Sequence, residues 1–282
     1  STNSSIGLIY ALKKIFKKNR YQTYLSKFNL IEIKIFKCYL ASMIIVKPIK
    51  FKRNSDIRNF YNKHGWVTLK NYIKKSEIKN LQKSLDNFFY EKINKNCLNS
   101  LQYLNKKNQK KLYELHKQYS NLTSLKKICT QLAEIQKILL GKKNISIHEI
   151  STSILPSLPK DKRLVYDFHQ ESNYMKNFKD ILNIHFPIFH QSNFKNGSMS
   201  VLSGSHKLGN INYKKKRISK NSFTDKIPDN IDKISQNYKE VLFELNVGDV
   251  AFFHKDLIHK SNFNNTNISR PVGIGRYSSS YD

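Results

Sequence analysis

The feature that most constrains the fold of this chain is a change of periodicity at Gly141. Before it, apolar residues recur at helical spacing; after it, they come in short β-branched and aromatic runs separated by turn residues. Ser55 reads as the N-cap of a short helix through Phe60, with Gly65 as its stop and a strand, Trp66–Leu69, behind it. Ser76 reads as the cap of a second helix whose buried stripe is Ile78, Leu81, Leu85 and Phe88. Further helical pattern runs from about Lys110 to Leu140. Beyond Gly141, the segments around Ile145 and Ile147, 163–168, 181–189, 198–202, 241–245, Val250–His254 and 271–277 read as strands, with the spacing of a sandwich or barrel. The expected fold class is therefore α+β, a largely helical N-terminal half and a mostly β second half. The polar, Lys-rich stretch at about 207–240 is too long for a hairpin connection and reads as a lid-like insertion.

Residues 1–54 stand apart as a basic N-terminal extension in which Glu32 is the only acidic residue, ahead of a main domain over 55–282. Ile6, Ile9, Leu12, Ile15 and Phe16 share one helical face opposite Lys13, Lys14, Lys17 and Lys18. Such a helix either touches a membrane surface or packs its stripe onto its own domain. Charge poses the same choice at larger scale. Lys and Arg number 50 against 20 Asp and Glu, a net charge of +30, which reads as a footprint for a polyanion or as the Lys, Asn and Ile usage of an A/T-rich genome. No block of five like charges occurs, the longest basic run being Lys214, Lys215, Lys216 and Arg217, so no specific nucleic-acid partner is expected.

At 39% hydrophobic and 12% aromatic, the chain can bury a core. Cys38, Cys97 and Cys129 are odd in number and lack a C-x-x-C, which argues against a disulfide framework or a cysteine zinc site and suits a reducing compartment. The longest uncharged apolar stretch, 38–46, is short of the ~20 residues needed to span a bilayer. A polar start interrupted by Lys13 and Lys14 does not read as a secretory signal, and a cytoplasmic location is expected.

Chemistry concentrates in His169-Gln170-Glu171. On a strand, residues i and i+2 face the same side, so His169 and Glu171 can present an imidazole and a carboxylate to one metal ion. His259, just after the strand Val250–His254, can return a third ligand, and two histidines with one carboxylate make the facial triad of non-haem Fe(II) oxygenases. Alone, H-x-E is a common surface pair. Arg270, eleven residues after His259, adds a guanidinium suited to the far carboxylate of a metal-chelating dicarboxylate, with Arg276 as the alternative anchor, and Ser261 can add a hydrogen bond. His254 can line the pocket, and His185 either faces a co-substrate or is a satisfied structural residue.

With these residues in place, the sequence resembles the phytanoyl-CoA dioxygenase family of Fe(II)- and 2-oxoglutarate-dependent oxygenases. The resemblance runs from Tyr61-Asn62-Lys63-His64-Gly65-Trp66-Val67 through Ser76-Glu77-Ile78, His169-Gln170-Glu171, Asn196-Gly197-Ser198 and Gly204-Ser205-His206-Lys207 to Gly248-Asp249-Val250, His259-Lys260-Ser261 and Arg270, over about residues 55–278. It implies a double-stranded β-helix, a jelly-roll, cupin-like core with the helical half packed against it. It implies iron held by His169, Glu171 and His259, and 2-oxoglutarate met by Arg270 and Ser261 with Gln170 nearby. The implied reaction is an O2-dependent hydroxylation of a small molecule or a lipid- or sugar-linked intermediate, and the Lys-rich insertion favours an anionic substrate. One departure is that the family's usual carboxylate is Asp where this chain has Glu171. The alternative from another class is a catalytically silent basic module that binds nucleic acid or an anionic membrane surface.

Overall fold

Helix α1 (Asn54–His64) turns Ile57 and Tyr61 inward and ends at Gly65, whose left-handed backbone (φ 77°) lets its N–H close on the Tyr61 carbonyl. The chain then enters strand β2 (Trp66–Leu69), buried along its whole length. The structure is a computed structural model that describes residues 43–162, 165–178, 180–217 and 224–281. By packing, the chain divides into Ser1–Ile44 and Ile45–Asp282, and the helical layer, the cavity and, apart from Ile44, both sheets belong to the second unit. The basic amphipathic pattern over Ile6 to Lys18 lies outside the described residues.

Five helices follow β2: α2 (Lys75–Ile93), α3 (Cys97–Lys107), α4 (Gln109–Tyr119), α5 (Thr123–Ala133) and α6 (Ile135–Leu140), the last stopped by Gly141. Strands β3 (Ile145–Leu155), β4 (Ile181–Pro187), β9 (Val250–His254) and β11 (Val272–Tyr281) join β2 in a five-stranded sheet of order β2-β9-β4-β11-β3 with antiparallel pairings. Strands β1 (Ile44–Val46), β5 (Met199–Leu202), β8 (Glu240–Phe243) and β10 (His259–Ser261) make a four-stranded sheet of order β1-β8-β5-β10. Between β5 and β8 lie a separate hairpin, β6 (Tyr213–Arg217) with β7 (Thr224–Pro228), and helix α7 (Ile231–Asn237).

The pleat sorts the five-stranded sheet into two faces. Leu182, Ile184, Phe186, Phe252 and Tyr277 join the α2–α6 stripes in one apolar core. Trp66, Ala251 and Phe253 face the other way and pack with Val201, Val241 and Phe243 of the four-stranded sheet. One layer of helices thus backs two sheets, and a cavity is left between the sheets. Among the described residues, no helix is long and apolar enough to cross a membrane.

Several local expectations are corrected. The caps of α1 and α2 are Arg53 and Lys74 in extended backbone with no side-chain capping hydrogen bond, so Ser55 and Ser76 sit inside the first turns. Burial of Ile57 and Ile78 fixes these helix starts rather than a cap. The inward residue of the last α2 turn is Phe89, with Phe88 only partly buried, because a 100° helical step carries the stripe on by one position. Segment 163–168 is no strand among its described residues, and helix α3 lies where the sequence pattern assigned no element.

Candidate metal centre and its pocket

His169 is not on a strand. It forms a single antiparallel bridge with His259, each backbone N–H donating to the other's carbonyl at 2.9 and 3.0 Å. Glu171 opens a short 3-10 turn, Glu171–Asn173. The alternation expected of a strand survives because the residue between them, Gln170, is itself extended (φ −118°, ψ 138°). His259 opens β10, opposite Val201 of β5.

These backbone positions bring together the three side chains. Their candidate ligand atoms lie within 4.8 Å of one another, and all three residues are buried. The Nδ1 of His169 lies 2.7 Å from the Asp167 carbonyl, and the Nδ1 of His259 2.9 Å from the Leu257 carbonyl. A carbonyl can only accept, so each ring donates from Nδ1 and keeps the Nε2 lone pair for an ion. Burial lowers the pKa of both imidazoles, that of His259 to about 3, so they are neutral at physiological pH. For Glu171, burial pushes the carboxyl up, but Arg276 and then the two imidazoles outweigh it and hold the group below its ordinary value. Two neutral imidazoles and one carboxylate, oriented from behind and already deprotonated, are a donor set that fits a divalent transition metal.

The cluster forms one wall of a cavity of about 340 Å³ that Ser261, Asn183, His185, Arg270 and Arg276 also line. Arg270 is buried and has no carboxylate partner among the described residues. Its Nε donates to Asn196 O (2.9 Å), Nη1 to Ser192 Oγ (3.0 Å), and Nη2 to Ser157 Oγ (3.2 Å) and Gly197 O (2.7 Å). Four of five N–H groups are thus held by neutral oxygens, which fixes the guanidinium and leaves one Nη1 hydrogen and the full charge for a ligand. Burial lowers this guanidinium to about 10, still cationic at neutral pH. Gly197 is required here: its φ is +81°, and a Cβ would lie 2.8 Å from the Asn264 amide nitrogen.

Strand β4 completes the wall and was only partly legible. Its outward residues Leu182, Ile184 and Phe186 are core, while Asn183 and His185 face the cavity. The Asn183 amide donates to Phe253 O at 3.3 Å, and among the described residues neither its Oδ1 nor His185 Nε2 has a partner. Burial, then the nearby Arg270, lowers His185 to about 3. An unmet buried polar group costs about 1–3 kcal/mol, and both of these face the cavity, where water or a polar ligand can meet them. The sequence signal for Asn183 is a polar residue at alternate position in an otherwise apolar run. Arg276, expected as the alternative anchor for the far carboxylate, does line the cavity but pairs with Glu171, Nε to Oε1 at 2.7 Å.

Not every expected residue reaches the cavity. Gln170, fully buried, points the opposite way from its neighbours: its Nε2 donates to the Gly209 and Asp256 carbonyls, both at 2.7 Å, and its Oε1 accepts from Ile211 N at 2.9 Å. It ties the metal-side turn to the root of the 207–240 segment. His254 does not line the cavity; its Nδ1 accepts from Asp256 N at 3.1 Å. The Asn196, Gly204 and Gly248 motifs are turns. The hairpin β6–β7 lies against the metal-side segment, where Lys216 pairs with Asp167 (3.1 Å) and Lys226 Nζ donates to Asn173 O (2.6 Å).

The chain is similar in structure to several solved proteins. One is the epimerase SnoN in complex with Fe3+, alpha-ketoglutarate and nogalamycin RO, at TM-score 0.56 and 14% identity, over 81% of this chain and 85% of that one. Another is EctD from S. alaskensis with bound Fe, at 0.54 and 17%, over 83% and 80%. A third is the non-haem monooxygenase ThoJ, at 0.56 and 15%, over 80% and 79%. At these identities the likeness is one of fold. No curated protein sequence matches the chain. The family model of phytanoyl-CoA dioxygenase (PhyH) matches residues 61–272, from the last turn of α1 through the metal-side turn and His259 to the start of β11. Since that match covers well over half of the sequence and includes both halves of the cavity wall, the chain belongs to the phytanoyl-CoA dioxygenase family.

Proposed function

We infer that this protein is an iron(II)- and 2-oxoglutarate-dependent oxygenase that hydroxylates a small molecule, on a double-stranded β-helix whose halves are the two sheets. One observation carries the reading. A single cavity holds two back-anchored, neutral histidines with a carboxylate at one wall, and a fixed, buried guanidinium without a carboxylate partner elsewhere in its lining. Iron(II) with 2-oxoglutarate, when bound, supplies an oxidation in which O2 converts 2-oxoglutarate to succinate and CO2 and delivers one oxygen atom to a substrate C–H bond.

In this reading His169 Nε2, His259 Nε2 and Glu171 hold the metal, and the Nδ1 bonds keep both rings aimed at it. Arg270 receives the distal carboxylate of the co-substrate with its remaining Nη1 hydrogen, Ser261 offers a hydroxyl from the same wall, and the unpartnered His185 offers a further polar contact. Leu155, Val165, Met175, Phe253 and Ile274 line the rest of the cavity and exclude water. The β6–β7 hairpin acts as the lid, since its lysines already grip the Asp167 to Asn173 segment, and their charge favours an anionic substrate. A catalytically silent basic module would give these unmet buried groups no task.

The test is succinate formation by the full chain supplied with Fe(II), 2-oxoglutarate and O2. His169→Ala and His259→Ala should each reduce it to background while the thermal melt stays cooperative. Wild-type turnover in either variant refutes the reading.

A further inference from the structure

The carboxylate of the metal cluster has a partner that neither a metal nor a co-substrate accounts for. Arg276 Nε lies 2.7 Å from Glu171 Oε1, while Oε2 is turned toward His259 Nε2 at 3.9 Å. The side chains of Glu171 and Arg276 are 6% and 22% exposed, so solvent screens the pair weakly. The Nε–H is not in line with the oxygen and has no other acceptor among the described residues. Arg276 reaches this place because alternate residues of β11, Val272, Ile274 and Arg276, face the cavity. Opposite this point β3 carries an extra residue, Ile150, between the partners of Arg276 and Tyr277. Such a bulge re-aims side chains beside a site.

We propose that Arg276 is a positioning residue for Glu171: it engages Oε1 and so leaves Oε2 as the single oxygen offered to the metal. The inference rests on the proposed reading of the cluster as a metal site. Glu has one more rotatable bond than Asp, and an untethered Glu can chelate with both oxygens or swing away, which either fills a position the open face needs or loses the ligand. The guanidinium removes both freedoms. It also gives a reason for Glu at this position, since an Asp carboxylate would stop about one C–C bond, ~1.5 Å, short of Arg276.

Cobalt(II), followed by its visible absorption in the full chain without co-substrate, tests this. Gln places its Nε2 as many bonds from the backbone as Arg places Nε. Lys has a carbon there and carries its charge one atom further, and Met has neither donor nor charge. Positioning through Oε1 predicts that Arg276→Gln keeps the wild-type spectrum and an affinity within about threefold. Arg276→Met should bind at least about tenfold more weakly with an altered spectrum, and Arg276→Lys should resemble Met. In a Glu171→Asp background, Arg276→Met should cost less than about threefold, because the contact is already broken.

A role through charge alone gives the opposite order. The cation repels an incoming metal ion, so both neutral variants would tighten cobalt binding and Lys would match wild type. Either that order, or an equal loss in both backgrounds, overturns the inference. If Arg276→Met does not fold, the Gln and Lys pair still decides. Wild-type protein that takes up no stoichiometric cobalt, or a His259→Ala variant that binds it undiminished, overturns the metal site and this inference with it.

Discussion

Replacing Arg270 by Met should raise the dissociation constant for 2-oxoglutarate by roughly ten- to a hundredfold and also destabilise the fold. Both magnitudes follow from how the five N–H groups of the guanidinium are used. Asn196 O, Gly197 O, Ser192 Oγ and Ser157 Oγ hold the guanidinium and leave one Nη1 hydrogen for the ligand. A hydrogen bond to a charged group contributes about 1.5–3 kcal/mol, and about 1.4 kcal/mol is tenfold in binding. The affinity loss therefore reflects one charge-assisted bond and not a full two-bond fork. Met leaves buried acceptors unmet, at about 1–3 kcal/mol each where no water replaces the donor. Lys restores the charge but not the planar set of donors, so it should recover affinity only in part. Isothermal titration of 2-oxoglutarate into the metal-loaded protein reads the first effect, and denaturant unfolding of the metal-free protein reads the second. Cobalt affinity without co-substrate should barely change, because Arg270 is not in the metal cluster. A folded Arg270→Met protein with wild-type 2-oxoglutarate affinity would show that the guanidinium is only a loop anchor.

Two further outcomes are expected. The folded-state pKa of His185 is lowered from 6.5 to about 3, so between those values the unfolded chain binds the proton and the folded chain does not, and stability is lost as pH falls through that window. His185→Gln should remove about 2 kcal/mol of the stability difference between pH 7 and pH 5, read by denaturant unfolding at each pH, and an unchanged difference would refute the neutral, buried assignment. Gln170→Leu should strip Gly209, Asp256 and Ile211 of their partner and destabilise the fold by at least about 2 kcal/mol, with faster proteolysis near residues 209–211 and near-normal 2-oxoglutarate affinity. A large loss of 2-oxoglutarate affinity at unchanged stability would instead make Gln170 a co-substrate contact.

What one dimension of sequence determined here is what short-range geometry controls. The switch from helical to alternating periodicity at Gly141 divides the helical layer from the long run of strands, and Val250–His254 is found at its predicted bounds because four consecutive apolar residues between a Gly-Asp turn and a polar loop are buried together as one strand. His169, Glu171, His259 and Arg270 could be singled out because metal ligation and carboxylate binding need particular donors, and few residues of those types stand at fitting intervals. Which way a side chain faces was a different matter. Gln170 and Arg276 read as near neighbours of the site in sequence, yet one turns to the root of the hairpin and the other onto Glu171. Asn183 became a cavity residue only because β4 pairs with β9 and β11 in a register that sends Leu182 and Ile184 to the helices. A one-residue slip would have exchanged those faces. Register, the extra residue in β3 and the 3-10 turn at Glu171 are set by contacts between segments far apart in the chain, and tertiary packing alone decides them.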